Sequence, residues 1–518
     1  MSSDTPTWGL TEDDNGEALS PELQRNATLA VLAIAAVITL LHLLTNVRYG
    51  PHRDELQFLS DALHLDFGYV AYPPFTPLVE RALLAIFGLS LVGLRLASVL
   101  AQALLIVTAG ATARALGGGR LAQTAAALAV ALSPISLFEG TEFQYSSFDL
   151  LWWALIAYGV VRLLTDGNPR WWLWVGIFCG LALETKYSVV FYIGALFAGF
   201  LLAPQRRLLY SRWFLGGCAL GLLIFLPNLI WQVHHGFISY HFLQHIHVRD
   251  VGEGRGSAKD FWLSQILLCT SPFAVPLVIA GVVSTWRRPG LRPLSWMFLL
   301  SVAAFAVAKG RGYYTCGAYP AMVAAGSVAA GRWLRMRKVR VRRSIEITGF
   351  TGIVVYGAFM MAVLVPFAAG GRLRDFALAR NGDLREEFGW NDLVQSIARV
   401  RDTLPPDQRA AAGVLTGNYG EQGAVELLGG PWGLPRPISL TNSAWLRGYP
   451  TPQPATLIVV GFSARQVEED FTSCRLAGQV THTESIKNEE SADHTEIYLC
   501  GPPRLPWPVF WRKYQRWG

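Results

Sequence analysis

Two adjacent carboxylates, Asp54 and Glu55, follow His52 and Arg53 in the stretch Tyr49-Gly-Pro-His-Arg-Asp-Glu-Leu56, just past the first long apolar run of the chain. Ionisable groups at a membrane boundary are costly, so four in a row invite a functional reading. A carboxylate can take the proton of an attacking hydroxyl or amine when the geometry suits. Arg53 and His52 can pair with that carboxylate or contact an anionic substrate. Asp54 and Glu55 would equally suit the first turn of a helix, capping it and favouring its macrodipole. Sequence leaves both readings open.

A second group is cationic and aromatic: Lys186-Tyr187, Arg249, Lys259, and Lys309-Gly-Arg311 followed by Tyr313-Tyr314. These sit on connections that alternate with the arginine-rich ones. An anionic lipid phosphate at the interface would need such groups, with arginine offering bidentate contacts. Snorkelling toward headgroups is the structural alternative for any one of them. A third group is Glu139, Glu142 and Asp149. Asp149 opens an apolar run and could cap it, or, with Asp54, could offer oxygen ligands to a divalent cation. Five of the ten histidines lie at 234, 235, 241, 245 and 247. His241 and His245 have i,i+4 spacing, but no HExxH pattern accompanies them.

The elements that must position these residues follow from composition. Apolar residues make up 52% of the 518 and charged ones 16%, against roughly 25% charged in soluble domains. Eighteen tryptophans suit bilayer interfaces. The net charge of +7 gathers in short loops between apolar spans, so it gives no reason to expect nucleic-acid binding. Apolar runs near 28–46, 91–113, 121–138, 148–165, 171–185, 188–203, 213–231, 263–285, 293–308, 315–333 and 345–368 predict about eleven transmembrane helices. The first is expected to remain uncleaved, because its upstream tail (Asp4, Glu12, Asp13, Asp14, Glu17, Glu22) is acidic rather than basic.

Basic residues fall on every second connection: Arg114 and Arg120; Arg162 and Arg170; Arg206, Arg207 and Arg212; Arg287, Arg288 and Arg292; and the run Arg332 to Arg343. The positive-inside rule puts these in the cytoplasm, with the N-terminus. The Asp54 loop and everything past about 370 are then outside. Residues 1–27 read as a disordered cytoplasmic tail, 28–370 as the transmembrane domain with an outer loop at 47–90, and 371–518 as an extracytoplasmic α/β domain. Within the loop, Leu56 to Leu65 has the spacing of an amphipathic interfacial helix, and a second helix is expected from Leu78 to Phe87. Residues 232–262 read as a polar loop. In the last domain, 455–461 and 495–500 read as strands, and 390–401 and 464–471 as helices. Cys474 and Cys500 could pair in an oxidising compartment. Cys179, Cys218, Cys269 and Cys316 read as small apolar residues in or beside spans.

In their order along the chain, the Arg53-Asp54-Glu55 loop, Gly68-Tyr69…Tyr72-Pro73-Pro74, Arg95, Ser133-Pro134, Asp149, Thr185-Lys186-Tyr187, Lys309 to Tyr314 with Tyr319-Pro320, and Gly417-Asn-Tyr-Gly-Glu421 resemble the GT-C superfamily of integral-membrane glycosyltransferases. The likeness is to the family-39-like branch that includes protein O-mannosyltransferases and lipid A aminoarabinose transferases. It implies a polyprenyl-phosphate sugar donor, a protein, glycan or lipid acceptor, and chemistry on the outer face of the cell (inner) membrane. By resemblance Asp54 is the catalytic acidic residue of the outer loop, deprotonating or orienting the acceptor, supported by Glu55, with Asp149 the second acidic candidate. Lys186, Tyr187, Arg249, Lys309, Arg311 and Tyr314 become candidates for the donor phosphate, and Arg53, Tyr72 and Pro73 for shaping the loop. The aminoarabinose transferases carry an acidic residue before the loop proline where this chain has Ala71-Tyr72, which leaves a divalent metal open. A transporter or flippase of a polyprenyl-linked sugar is the alternative. It would predict charge at the bilayer midplane, and the spans are largely charge-free.

Overall fold

A computed structural model describes residues 21–486, 488 and 494–518. It divides into two compact units. One runs to Asn46 and includes Arg95–His234 and His247–Val365; the other comprises Val47–Leu94, His235–Ile246 and Pro366–Gly518. The 47–90 loop therefore clusters with the C-terminal residues rather than with the spans. Most of the expected tail lies outside the described residues, and its last part, 21–27, is already helical because the first helix begins at Pro21.

The chain is a polytopic α-helical membrane protein. Among the described residues six helices are long and apolar enough to cross a bilayer: Pro21–Thr45, Leu91–Ala115, Tyr145–Asp166, Arg212–His234, Pro289–Val307 and Val339–Leu364. A seventh is reached if Val189–Leu201 and Pro204–Tyr210, bent by 113°, count as one. The expectation of about eleven such helices is not met. At 1.5 Å per residue, the 13-residue helices Trp171–Leu183 and Val275–Arg287 fall short of a hydrocarbon core of about 30 Å. The expected span 121–138 is interrupted at Ser133-Pro134, and 263–285 at the Thr270-Ser271-Pro272 break. Proline lacks the N–H that would continue the ladder.

Leu32, Val37, Leu40 and Leu44 on the first helix, and Leu215, Leu222, Leu223 and Ile230 on the helix Arg212–His234, are exposed. Apolar rows facing outward suit lipid as solvent. Inside, helices meet through glycines. A Cβ on Gly176 would lie 2.0 Å from the Gly217 oxygen, and one on Gly326 1.7 Å from the Leu277 oxygen. Small residues allow such backbone approach between membrane helices. Residues 232–262 are not a loop: Ile238–Gly252 and Ala258–Leu267 are helical. Cys269 and Cys316, expected to be free, are disulfide-bonded, and Cys179 and Cys218 are free.

The second unit holds a five-stranded sheet in the order β2-β1-β3-β5-β4, formed by β1 (Ala412–Thr416), β2 (Pro437–Ser439), β3 (Thr456–Val460), β4 (Arg475–Gln479) and β5 (Glu496–Cys500). β1 is parallel to β2 and β3, whereas β5 is antiparallel to β3 and β4. The expected strands are β3 and β5, and the expected helices are Trp390–Asp402 and Ala464–Asp470. Alternation along the strands loads both faces. Val414, Ile458, Val460 and Leu499 pack with Val394, Ile397 and Leu56 on one face, and Leu415, Leu457 and Val459 with Phe471, Trp507 and Phe510 on the other. Cys474 and Cys500 are bonded.

Leu56 belongs to that core because the helix Arg53–Leu63 is buried from Glu55 to Ala62. It is embedded in the unit rather than half-exposed as its amphipathic spacing suggested. The next helix, Phe75–Phe87, is inverted: Leu78, Ile86 and Phe87 face out while Thr76 and Glu80 are buried.

Candidate active site

In the second unit, His52 caps the Arg53–Leu63 helix. Its Nδ1 accepts the Asp54 N–H at 3.2 Å, and the Glu55 carboxylate accepts the His52 N–H at 2.8 Å. Glu55, expected to support catalysis, completes this capping box and is only 2% exposed. Asp54 is 31% exposed, with Oδ1 2.9 Å from the Tyr419 hydroxyl, which donates to it, and 3.8 Å from Arg53 Nε. The Arg53 guanidinium also lies 5.8 Å from the Tyr419 ring. The helix Tyr419–Leu428 reaches Asp54 because glycine lines its contact face: a Cβ on Gly423 would sit 2.5 Å from the Leu56 oxygen.

The far end of Arg53–Leu63 is fixed by buried polar groups. Asp61 accepts hydrogen bonds from the Tyr72 hydroxyl and from Arg447. Burial pushes the Asp61 carboxyl up to about 6, against the pull of Arg447. Burial likewise raises Glu426, but His64 at 2.8 Å, Ser60 and Arg447 bring it below its usual value. Gln422 donates to Ser60 at 2.9 Å and to Glu426 at 2.6 Å. Tyr72 and Pro73 are buried in this framework. Among the described residues Glu80 has no hydrogen-bond partner on either oxygen, and burial, then Glu55 and Asp61, drive its carboxyl well above its ordinary value.

In the first unit Lys186 is ringed by aromatics. Its Nζ lies 4.9, 5.2 and 4.7 Å from the Tyr145, Tyr313 and Tyr314 rings and 3.9 Å from Asp149 Oδ2. Ring faces attract an ammonium at such distances. Asp149 does not cap its helix, which starts four residues earlier at Tyr145; its Oδ1 accepts the Trp153 indole N–H at 2.9 Å. Gly317 lies against Trp153, where a Cβ would approach to 2.7 Å, and so lets the Gly312–Ala318 turn bring Tyr313 and Tyr314 to Lys186. The other expected phosphate ligands are placed elsewhere. Arg311 gives Nε and Nη2 to Asp250 at 2.6 and 2.7 Å, a bidentate pair that sequence reading missed. Arg249 lies 3.9 Å from the same carboxylate. Lys309 is exposed, with φ 51°. The Tyr187 hydroxyl donates to Asn228 at 3.0 Å and accepts from Gln232 at 2.7 Å. Among the described residues no three His, Cys, Asp or Glu side chains converge as metal ligands.

The family described as dolichyl-phosphate-mannose-protein mannosyltransferase matches residues 71–231. A lipid A galacturonosyltransferase of Rhizobium johnstonii is 27% identical over 60% of this chain and 66% of its own length. An undecaprenyl phosphate-alpha-4-amino-4-deoxy-L-arabinose arabinosyl transferase of Pseudomonas paraeruginosa is 28% identical over 44% of this chain and 43% of its own. The chain thus spans less than two thirds of either relative. The crystal structure of ArnT from Cupriavidus metallidurans bound to undecaprenyl phosphate shares the fold, with a TM-score of 0.54 and 14% identity over 91% of this chain and 97% of that one.

Proposed function

We propose that this chain, which is similar to protein mannosyltransferases and aminoarabinose transferases, is a glycosyltransferase of the GT-C type. It moves a sugar from a polyprenyl-phosphate donor to an acceptor on the outer face of the membrane. The observation that carries this is Asp54: a partly exposed carboxylate at the first turn of a buried, rigidly capped helix, oriented by a tyrosine and an arginine. Asp54 accepts the proton of the acceptor hydroxyl or amine as that group attacks C1 of the sugar. The bond from C1 to the phosphate oxygen breaks, polyprenyl phosphate leaves, and the anomeric centre inverts. Lys186 is the cation for the donor phosphate, held by Asp149 and three tyrosines until an anion competes for it. Arg311 and Arg249 are assigned to Asp250 instead.

Sidedness rests on helix ends. Arg25, Arg114, Arg162, Arg212, Arg292 and the run from Arg340 to Arg343 lie toward one end each of the six long helices, and the positive-inside rule makes those ends cytoplasmic. The shorter helices then carry the returning crossings. On this reading both disulfides, Cys269–Cys316 and Cys474–Cys500, belong to the outer compartment, where oxidising conditions let such bonds form. The C-terminal α/β domain is extracytoplasmic on this reading.

The test is donor turnover by purified protein with a panel of undecaprenyl-phosphate sugars, aminoarabinose and galacturonic acid first. Asp54→Asn is expected to lose at least about a hundredfold in kcat, within the range that general-base removal costs, while remaining folded. Wild type that neither binds nor consumes any donor on a broad panel would overturn the assignment and favour transport.

A further inference from the structure

The turn Gly417-Asn-Tyr-Gly-Glu421 is held more tightly than a strand-to-helix connection requires. The Glu421 carboxylate accepts the N–H groups of Gly417 at 2.9 Å and Asn418 at 3.3 Å, and Asn418 Oδ1 accepts the Glu421 N–H at 2.9 Å. Gly461 closes on the same carboxylate, where a Cβ would sit 2.2 Å from Oε2; its φ of 76° also favours glycine. Arg516 donates to the Gly417 oxygen at 3.1 Å. Gly518 rests on the Tyr419 ring, where a Cβ would come to 2.6 Å from Cδ1. Gly420 lies against Trp390 and Arg53, and Gly423 against the Leu56 backbone. These restraints fix the turn that carries Tyr419, whose hydroxyl donates to Asp54 at 2.9 Å across 365 residues of sequence.

We infer that Tyr419 is a positioning residue for the transfer reaction, and that the C-terminal domain supplies part of the catalytic apparatus through it. The inference rests on the reading of Asp54 as the acidic group of that reaction. A free aspartate turns about two bonds. A hydroxyl donated to Oδ1 forms a charge-assisted hydrogen bond that fixes the carboxylate plane, and with it the direction in which Oδ2 meets the acceptor. Small misplacements of a reacting group are expensive in rate. The helix scaffold sets where Asp54 sits, and Tyr419 sets how it is turned.

Full-length protein carrying Tyr419→Phe, which removes one oxygen, is compared with wild type and Asp54→Asn by release of undecaprenyl phosphate from the donor that wild type consumes. The expected result is a kcat lowered about ten- to a hundredfold, the range for a hydrogen bond to a charged group. Donor KM and melting temperature are expected to stay unchanged. Asn418→Ala serves as the structural control, because it loosens the same helix start through its cap while leaving the hydroxyl. Wild-type kcat in Tyr419→Phe, with Asp54→Asn inactive, would overturn the inference and leave the functional reading standing. So would a loss in Tyr419→Phe that Asn418→Ala matches in both kcat and melting temperature. Full activity in Asp54→Asn would remove the reading itself, and the inference with it.

Discussion

Asp54 and Glu55 differ by one methylene and one position, and on a helix one position is a turn of about 100°. That rotation sends Glu55 back to the His52 N–H and leaves Asp54 beside Tyr419. On the proposed reading, capping falls to Glu55 and chemistry to Asp54. Asp61, two turns on, shows how much charge this helix buries to stay in place. Its carboxyl is raised from 3.8 to about 6, chiefly by burial. A group that holds its proton more firmly when folded stabilises the fold fully below its unfolded value, and that stabilisation is lost as pH rises through about 6. Melting curves of wild type and Asp61→Asn between pH 4 and 7 are therefore expected to differ most favourably for wild type at pH 4, with its advantage shrinking toward pH 7. A difference that does not change with pH would mean Asp61 titrates at the same pH folded and unfolded. At this scale Asp54, Lys186 and Asp149 stood out as candidates because charge is rare in so apolar a chain. Tyr419 lay within a quoted motif, Gly417 to Glu421, but nothing in the sequence pointed to its bond with Asp54 across 365 residues. The Asp250–Arg311 pair spans 61 residues, a separation that no periodicity reveals.

Helices were legible as apolar runs, and their interruptions at Ser133-Pro134 and Pro272 follow from the proline rule. Ile238–Gly252 was hidden because its apolar residues 238, 242, 243 and 246 are diluted by histidines. Helix burial was less legible than helix position. The spacing of Arg53–Leu63 suggested one wet face, yet polar Gln57, Ser60 and Asp61 are buried too, since partners on the Tyr419–Leu428 helix and Arg447 satisfy the last two. The crossing of these two helices depends on Gly423. An added methyl would meet the Leu56 carbonyl oxygen at 2.5 Å and its Cβ at 2.8 Å, and backbone cannot swing aside as a side chain does. Gly423→Ala is expected to lower stability by about 1–3 kcal/mol, the range for overpacking, and to reduce activity with it. Gly430→Ala, where a Cβ would meet nothing within 4 Å, is the matched control and should melt like wild type. Equal melting of the two would mean that the helices are not held at this distance.

At the scale of the whole molecule the organising quantity is the sidedness of charge and of sulfur. Basic residues crowd the cytoplasmic ends on the proposed topology, and the connection from Arg332 to Arg343 is the most basic of all. Four of the six cysteines are oxidised in two pairs, which a reducing cytoplasm would not sustain. These two arguments are independent, because arginine placement acts during insertion whereas disulfide formation depends on where the thiols end up. They can also be tested together. Arg337, exposed in the basic connection, and Arg465, whose side chain is 86% exposed on the C-terminal domain, are both tolerant surface positions. In intact cells a membrane-impermeant maleimide is expected to label Arg465→Cys and to reach Arg337→Cys only after permeabilisation. The same reagent should label Cys474 in intact cells only once an impermeant reductant has been added. Labelling of Arg337→Cys in intact cells would invert the topology, place the Asp54 helix in the cytoplasm, and remove the outer-face donor from the proposed reaction. Labelling of neither site would contradict the outer placement of the C-terminal domain while leaving the basic ends where the charge rule puts them.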